Sequence, residues 1–162
     1  MNKMNHKRIQ SSAVTVSRQI PLHRVVDLIC NAFEGGMSSC WACNAHWELR
    51  TGVKFEDFQT NPYDSTKQGS EAAKIAPGKY FPGYYLIPFA KGCVLILQDT
   101  EEEDETGKPV LYRITREDLG RALNLMAEKF TSHFNDFMDE NEDAITGDIF
   151  LQLAAIGDVV YG

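Results

Sequence analysis

The stretch from Tyr84 to Ile114, YYLIPFAKGCVLILQDTEEEDETGKPVLYRI, decides the fold class. Tyr84–Phe89 and Cys93–Gln98 are short apolar runs, and the intervening Ala90-Lys91-Gly92 carries the glycine of a hairpin turn. Val110–Ile114 is a third run, reached through Asp99–Pro109. That connection holds Glu101–Glu105, five consecutive acids read as an exposed hairpin loop, and then Thr106-Gly107. Neighbouring short strands joined by tight turns favour antiparallel pairing.

Upstream, Trp41, Cys43, Ala45, Trp47 and Leu49 alternate with Ala42, Asn44, His46 and Glu48, the period of a strand. Ala13–Gln19 reads as a short strand, and Val159-Val160-Tyr161 as a closing one. Helices flank these strands. Pro21 suits a first helical turn, Leu22, Val25, Val26, Ile29, Cys30 and Phe33 recur at helical spacing, and Gly35-Gly36 ends the stripe. Thr115 with Asp118 three residues on resembles a capping box, ahead of Leu119, Ala122, Leu123, Met126 and Phe130. Thr131–Glu140 reads as a short helix with Phe134, Phe137 and Met138 inward. A last helix is expected to be capped by Thr146, to bury Ile149, Phe150, Leu153 and Ala154, and to stop at Gly157. The expectation is α+β: an antiparallel sheet of about four to five strands packed with three to four helices. Residues 1–11 read as a flexible tail. Residues 12–162 read as one domain with a long irregular loop over about 51–82, rich in Gly, Pro, Asn and Ser.

Composition narrows the class. The 162 residues are 43% hydrophobic and 24% charged, which excludes a disordered chain. No run approaches the roughly 18 apolar residues of a membrane span, and no apolar segment follows the polar start, so a cytoplasmic protein is expected. Cys30, Cys40, Cys43 and Cys93 then read as free thiols. All 16 Lys and Arg, and 16 of the 23 acids, lie at or before Lys129. The last seven acids therefore carry the whole net charge of −7. This balance argues against direct nucleic-acid binding; it allows an acidic surface that attracts a basic partner or mimics DNA phosphates, and equally a solvated face that keeps the protein in solution.

Motifs for catalysis are missing. Cys40 and Cys43 with His46 suggest a metal half-site, but on a strand only Cys40 and His46 share a face, and no second half-site follows. The four histidines are scattered, no nucleophile elbow exists, and no Gly-rich phosphate loop precedes a helix. Neither metal nor cofactor is expected, and the reading leans away from an enzyme. Two constellations remain. Asp136, Asp139, Glu140, Glu142 and Asp143 form an acidic surface for a partner; they, with Asp148 and the Glu101–Glu105 cluster, are also the only support for a metal-dependent hydrolase. Glu34, Gly35, Gly36, Trp41, Trp47 and Tyr84 form an alternative site, with aromatic faces for a planar ligand beside a carboxylate at an unfavourable helix end.

Phe33-Glu34-Gly35-Gly36 followed by Trp41, and Thr146-Gly147-Asp148-Ile149-Phe150-Leu151-Gln152 ending in Val160-Tyr161-Gly162, resemble a group of uncharacterised proteins encoded by bacteriophages and prophages. Met126-Ala127-Glu128-Lys129 is similar to theirs as well. The resemblance implies residence in a host bacterial cell and a host defence protein or complex as partner. The function expected is a non-catalytic inhibitor, for example an anti-CRISPR, acting through the acidic surface. The alternatives are a small-molecule or nucleotide binder that sequesters a signal, and the metal-dependent hydrolase.

Overall fold

The computed structural model describes residues 17–36, 38–49, 52, 88 and 92–162. The expected tail at 1–11, residues 13–16 of the expected Ala13–Gln19 strand, the run Tyr84–Phe89 except Pro88, and all of the 51–82 loop but Gly52 lie outside them; residues 17–19 are described and form no strand.

Helix α1 spans Leu22–Glu34. Pro21 is its N-cap rather than its first helical residue, and the Arg24 amide donates to the Pro21 carbonyl. Val25, Val26, Leu28, Ile29 and Ala32 are buried, a wider face than the expected stripe. A turn of 3-10 helix at Ser38–Cys40 leads into β1, Ala42–Leu49. Strand β2, Cys93–Glu103, pairs antiparallel with β1 on one side and with β3, Pro109–Ile114, on the other. Cys93, Leu95 and Leu97 join the core shared with the helices, while Val94 and Ile96 are buried on the opposite face.

Two expectations about these strands change. Trp41 and Cys40 precede β1, and the register shifts between Cys43 and His46, so the period-two count from Cys40 to His46 does not hold. The acids Glu101–Glu103 belong to β2 rather than to a loop; the turn is Asp104–Lys108. Asp104 Oδ1 accepts from the amides of Thr106 and Lys108 and from the Thr106 hydroxyl, which fixes that turn.

Helix α2, Arg116–Lys129, starts with a complete capping box: Thr115 and Asp118 exchange side-chain-to-amide bonds. Burial works to raise the Asp118 carboxyl, but Thr115 and Arg121 outweigh it and hold the group below the usual carboxylate range. Helix α3 spans Thr131–Met138, and α4 spans Ala144–Ala155. Asp143, not Thr146, caps α4, accepting from the Thr146 amide at 2.8 Å.

Helix α4 is the centre of the molecule. Every residue from Thr146 to Ala154 is buried, not one face alone. It packs on α1, α2 and α3 and touches β3. Glycine makes the α1–α4 approach possible. A Cβ on Gly147 would lie 2.5 Å from the Ala32 nitrogen and 2.7 Å from the Leu28 oxygen, and one on Gly35 would lie 2.2 Å from the Ala144 Cβ. Gly36, at φ +78°, supplies the left-handed step after α1. The α+β architecture, an antiparallel sheet with four helices, is thus formed, and three of its strands lie among the described residues. No described helix is long and apolar enough to cross a membrane.

Candidate functional site

A helix buried all round leaves no solvent for its polar side chains, so Asp148 (6% exposed) and Gln152 (0%) require partners within the protein. Asp148 Oδ1 accepts from the Ser38 hydroxyl and from the Trp41 indole Nε1–H, both at 2.8 Å. Its Oδ2 accepts from Gln152 Nε2 at 2.8 Å. The two residues lie one helical turn apart, so their side chains share a face of α4.

Gln152 then holds the segment that follows its own helix. Its Oε1 accepts from the amides of Val160 and Tyr161 at 2.8 Å, and its Nε2 also donates to the Tyr161 carbonyl at 2.7 Å. The opposite amide orientation would set Oε1 against the Asp148 carboxylate, so the network defines which way the group points. This is why Val159-Val160-Tyr161 is not the expected strand: a side-chain amide takes the place of a neighbouring strand.

Tyr161 lies stacked on Trp41, with ring centroids 5.6 Å apart and planes 9° apart, and Tyr112 meets Trp41 edge-on at 6.1 Å. Both tyrosine hydroxyls donate to Asp99 Oδ2, Tyr112 at 2.6 Å and Tyr161 at 2.9 Å. Asp99 Oδ1 accepts from the amides of Glu101 and Glu102, where β2 departs from its register with β3. Burial pushes the Asp99 carboxyl up, but the bonds from Tyr112, the two amides and Tyr161 prevail, and its pKa lies below the ordinary range. Burial, and then the bond to the Asp99 carboxylate, push Tyr161 up to about 12 and Tyr112 higher still.

Beside this network lies a cavity of about 560 Å³, lined by Cys40, Trp41, Glu101, Glu102, Asp148, Val160, Tyr161 and Gly162. Its volume is within the range of small-ligand sites. Cys40, Glu101 and Glu102 are exposed at its rim. The Cys40 carbonyl accepts from the Thr100 hydroxyl, which ties this rim to β2.

Of the residues expected to form an aromatic ligand site, Trp41 lines the cavity. Glu34, Gly35 and Gly36 are exposed at the end of α1; Glu34 faces solvent, and Gly35 serves the contact with Ala144. Trp47 pairs through its backbone with Leu95, its side chain falls outside the description, and Tyr84 lies outside the described residues. The expected acidic surface divides. Asp136 and Asp139 are exposed on and just after α3, and Asp143 is the α4 cap, its carboxyl held low first of all by the Thr146 amide. Glu140 and Glu142 bind Arg24 at 2.9 and 3.1 Å. Arg24 also donates to the Phe137 carbonyl and lies over the Phe137 ring at 4.8 Å. Glu140 adopts φ +61°, a left-handed conformation unusual for glutamate, in the turn from α3 towards α4.

Asp99, Tyr112, Tyr161, Ser38 and Gln152 were not singled out from sequence as site residues. Asp148 enters the sequence reading as one acid of the C-terminal carboxylate cluster and as part of the Thr146–Gln152 motif, not as the centre of a buried network. The available signal was one polar pair, Asp148 and Gln152, spaced i, i+4 in an otherwise apolar stretch, Asp148–Ala154. Among the described residues, no three His, Cys, Asp or Glu side chains converge to hold a metal ion. No protein-family model, curated protein or solved structure matches the chain.

Proposed function

We propose that this protein is a non-catalytic binding protein that engages a basic partner through an acidic surface. The phage-like motifs make that partner a component of a host defence system, such as a CRISPR effector complex. The observation that carries the reading is where acids lack cations. Glu101, Glu102, Glu103, Glu105, Asp136 and Asp139 are exposed, and none has an ion pair among the described residues. Arg24, by contrast, is committed to Glu140 and Glu142, and Arg113 to Glu48. These exposed acids project a negative field that steers a basic surface and falls off over about 8 Å at physiological salt.

The experiment is co-purification from bacterial cells at low and high salt, with the native chain and with Glu103→Lys/Glu105→Lys/Asp136→Lys/Asp139→Lys. A basic protein retained by the native chain, released by salt and lost on charge reversal is the expected result. Retention that ignores both salt and reversal refutes it.

A small-molecule reading is favoured by the cavity at Trp41 and Tyr161. Its lining of Glu101, Glu102 and Asp148 opposes the phosphates of a nucleotide. The cavity therefore supports an uncharged or cationic ligand better than a nucleotide signal.

A further inference from the structure

We infer that the cavity between the 3-10 turn, the acidic end of β2 and the 160–162 segment binds a guanidinium or ammonium group. The cavity itself is the starting observation: about 560 Å³, far more than one side chain fills, with a wall formed by the stacked Trp41 and Tyr161. Its wall is preorganised. Trp41 is fixed by its indole bond to Asp148, and Tyr161 by its hydroxyl on Asp99 and by two backbone bonds to Gln152, which also holds the adjacent Val160 amide. A ligand entering the cavity need not order these rings, which lowers the entropic cost of binding.

The sign of the ligand follows from the lining. The ionisable side chains there, among the described residues, are Cys40, Glu101, Glu102, Asp148 and Tyr161, and no described Lys, Arg or His is among them. Asp148 is already satisfied by Ser38, Trp41 and Gln152, which leaves the side chains of Glu101 and Glu102, exposed at the rim and without an ion pair among the described residues, to accept from a ligand. Both are held in place through their backbone amides on Asp99 Oδ1. A flat cation beside Tyr161 would gain cation–π attraction and charge-assisted bonds to these carboxylates together, and a guanidinium suits both. A free cation and a Lys or Arg side chain of a basic partner share this chemistry. The second source rests on the acidic-surface reading proposed above; the first does not.

The test is a two-dimensional amide NMR titration of the whole chain with agmatine and, separately, with an arginine-rich peptide. Saturable shifts of the Trp41 indole N–H and of the amides of Cys40, Glu101 and Gly162 are expected. Affinity should fall about fivefold or more in Glu101→Gln/Glu102→Gln, as expected for loss of contact-range charges, and stay unchanged in Glu128→Gln, an exposed acid of α2 that does not line the cavity. Protection of Cys40 from alkylation gives the same answer by mass spectrometry without relying on a variant. Agmatine and peptide acting alike support the inference with a free cation sufficient. Peptide acting alone supports it with a protein segment as the source. No shift at these positions, or shifts that persist in the double glutamine variant, overturns it. Peptide binding that maps to Asp136 and Asp139 and spares the cavity overturns the inference but leaves the acidic-surface reading intact. Agmatine binding with no peptide binding does the reverse.

Discussion

Replacing Asp148 tests whether the buried network organises the core. In Asp148→Ala the Ser38 hydroxyl and the Trp41 indole, both buried, lose their acceptor together. Each orphaned donor costs about 1–3 kcal/mol, and the vacated space adds to it. Relief of the buried carboxylate's own desolvation offsets part of this, so a net loss of about 3–5 kcal/mol is expected. Asp148→Asn separates charge from geometry. Ser38 and Trp41 both use Oδ1, which asparagine retains as its carbonyl, while its Nδ2 falls opposite Gln152 Nε2, donor against donor. The asparagine variant should therefore lose only about 1–3 kcal/mol. Urea unfolding followed by tryptophan fluorescence and far-UV circular dichroism measures both, and coincident transitions license the comparison. An alanine variant within about 1 kcal/mol of the parent, or an asparagine variant as damaged as the alanine one, would refute the reasoning.

Gly147→Ala forces a methyl against the α1 backbone at 2.5 Å and should cost about 1–3 kcal/mol in the same assay, even though alanine favours helix. Thr115→Ala removes half of the α2 capping box, with an expected loss of about 1 kcal/mol. Asp99, with its folded pKa below the ordinary value, stabilises the fold fully above the unfolded carboxylate pKa of about 3.9 and ceases to do so as pH falls through the lower folded value. Asp99→Asn should flatten that acid limb in a pH series of urea midpoints. Tyr161, raised from 10.0 to about 12, acts in the opposite direction: its contribution is intact below pH 10 and is lost as pH rises towards about 12. Cysteine labelling of the native chain should modify exposed Cys40 ahead of Cys30 and Cys93, whose thiols burial pushes up to about 11 and about 12, as peptide mapping would show.

Periodicity carried the fold because it reports local faces. The α1 stripe, the β2 and β3 runs, and the Thr115–Asp118 box each depend on residues within one element, and each is found close to where it is expected. What was illegible depends on neighbours distant in sequence. That Gly147 abuts Leu28 and Ala32, and that Asp148 meets Ser38 and Trp41, are facts about packing across more than a hundred residues. Burial on all sides of α4 hides in a helix whose apolar residues still leave room for an amphipathic reading. The acidic cluster was legible as charge but not as pairing, since Arg24 reaches Glu140 and Glu142 only once α1 and α4 are packed. Ser38, Cys40 and Trp41 meet Asp148, Gln152 and Tyr161 in the network and cavity wall, together with Asp99, Glu101, Glu102 and Tyr112 of β2 and β3.

Native mass spectrometry of the protein, isolated gently from a bacterial host, tests the claim of an acidic binder most directly. The account predicts a complex with a basic host protein that dissociates as salt is raised. A retained anionic small molecule of nucleotide mass, with no protein partner at any salt concentration, would contradict it.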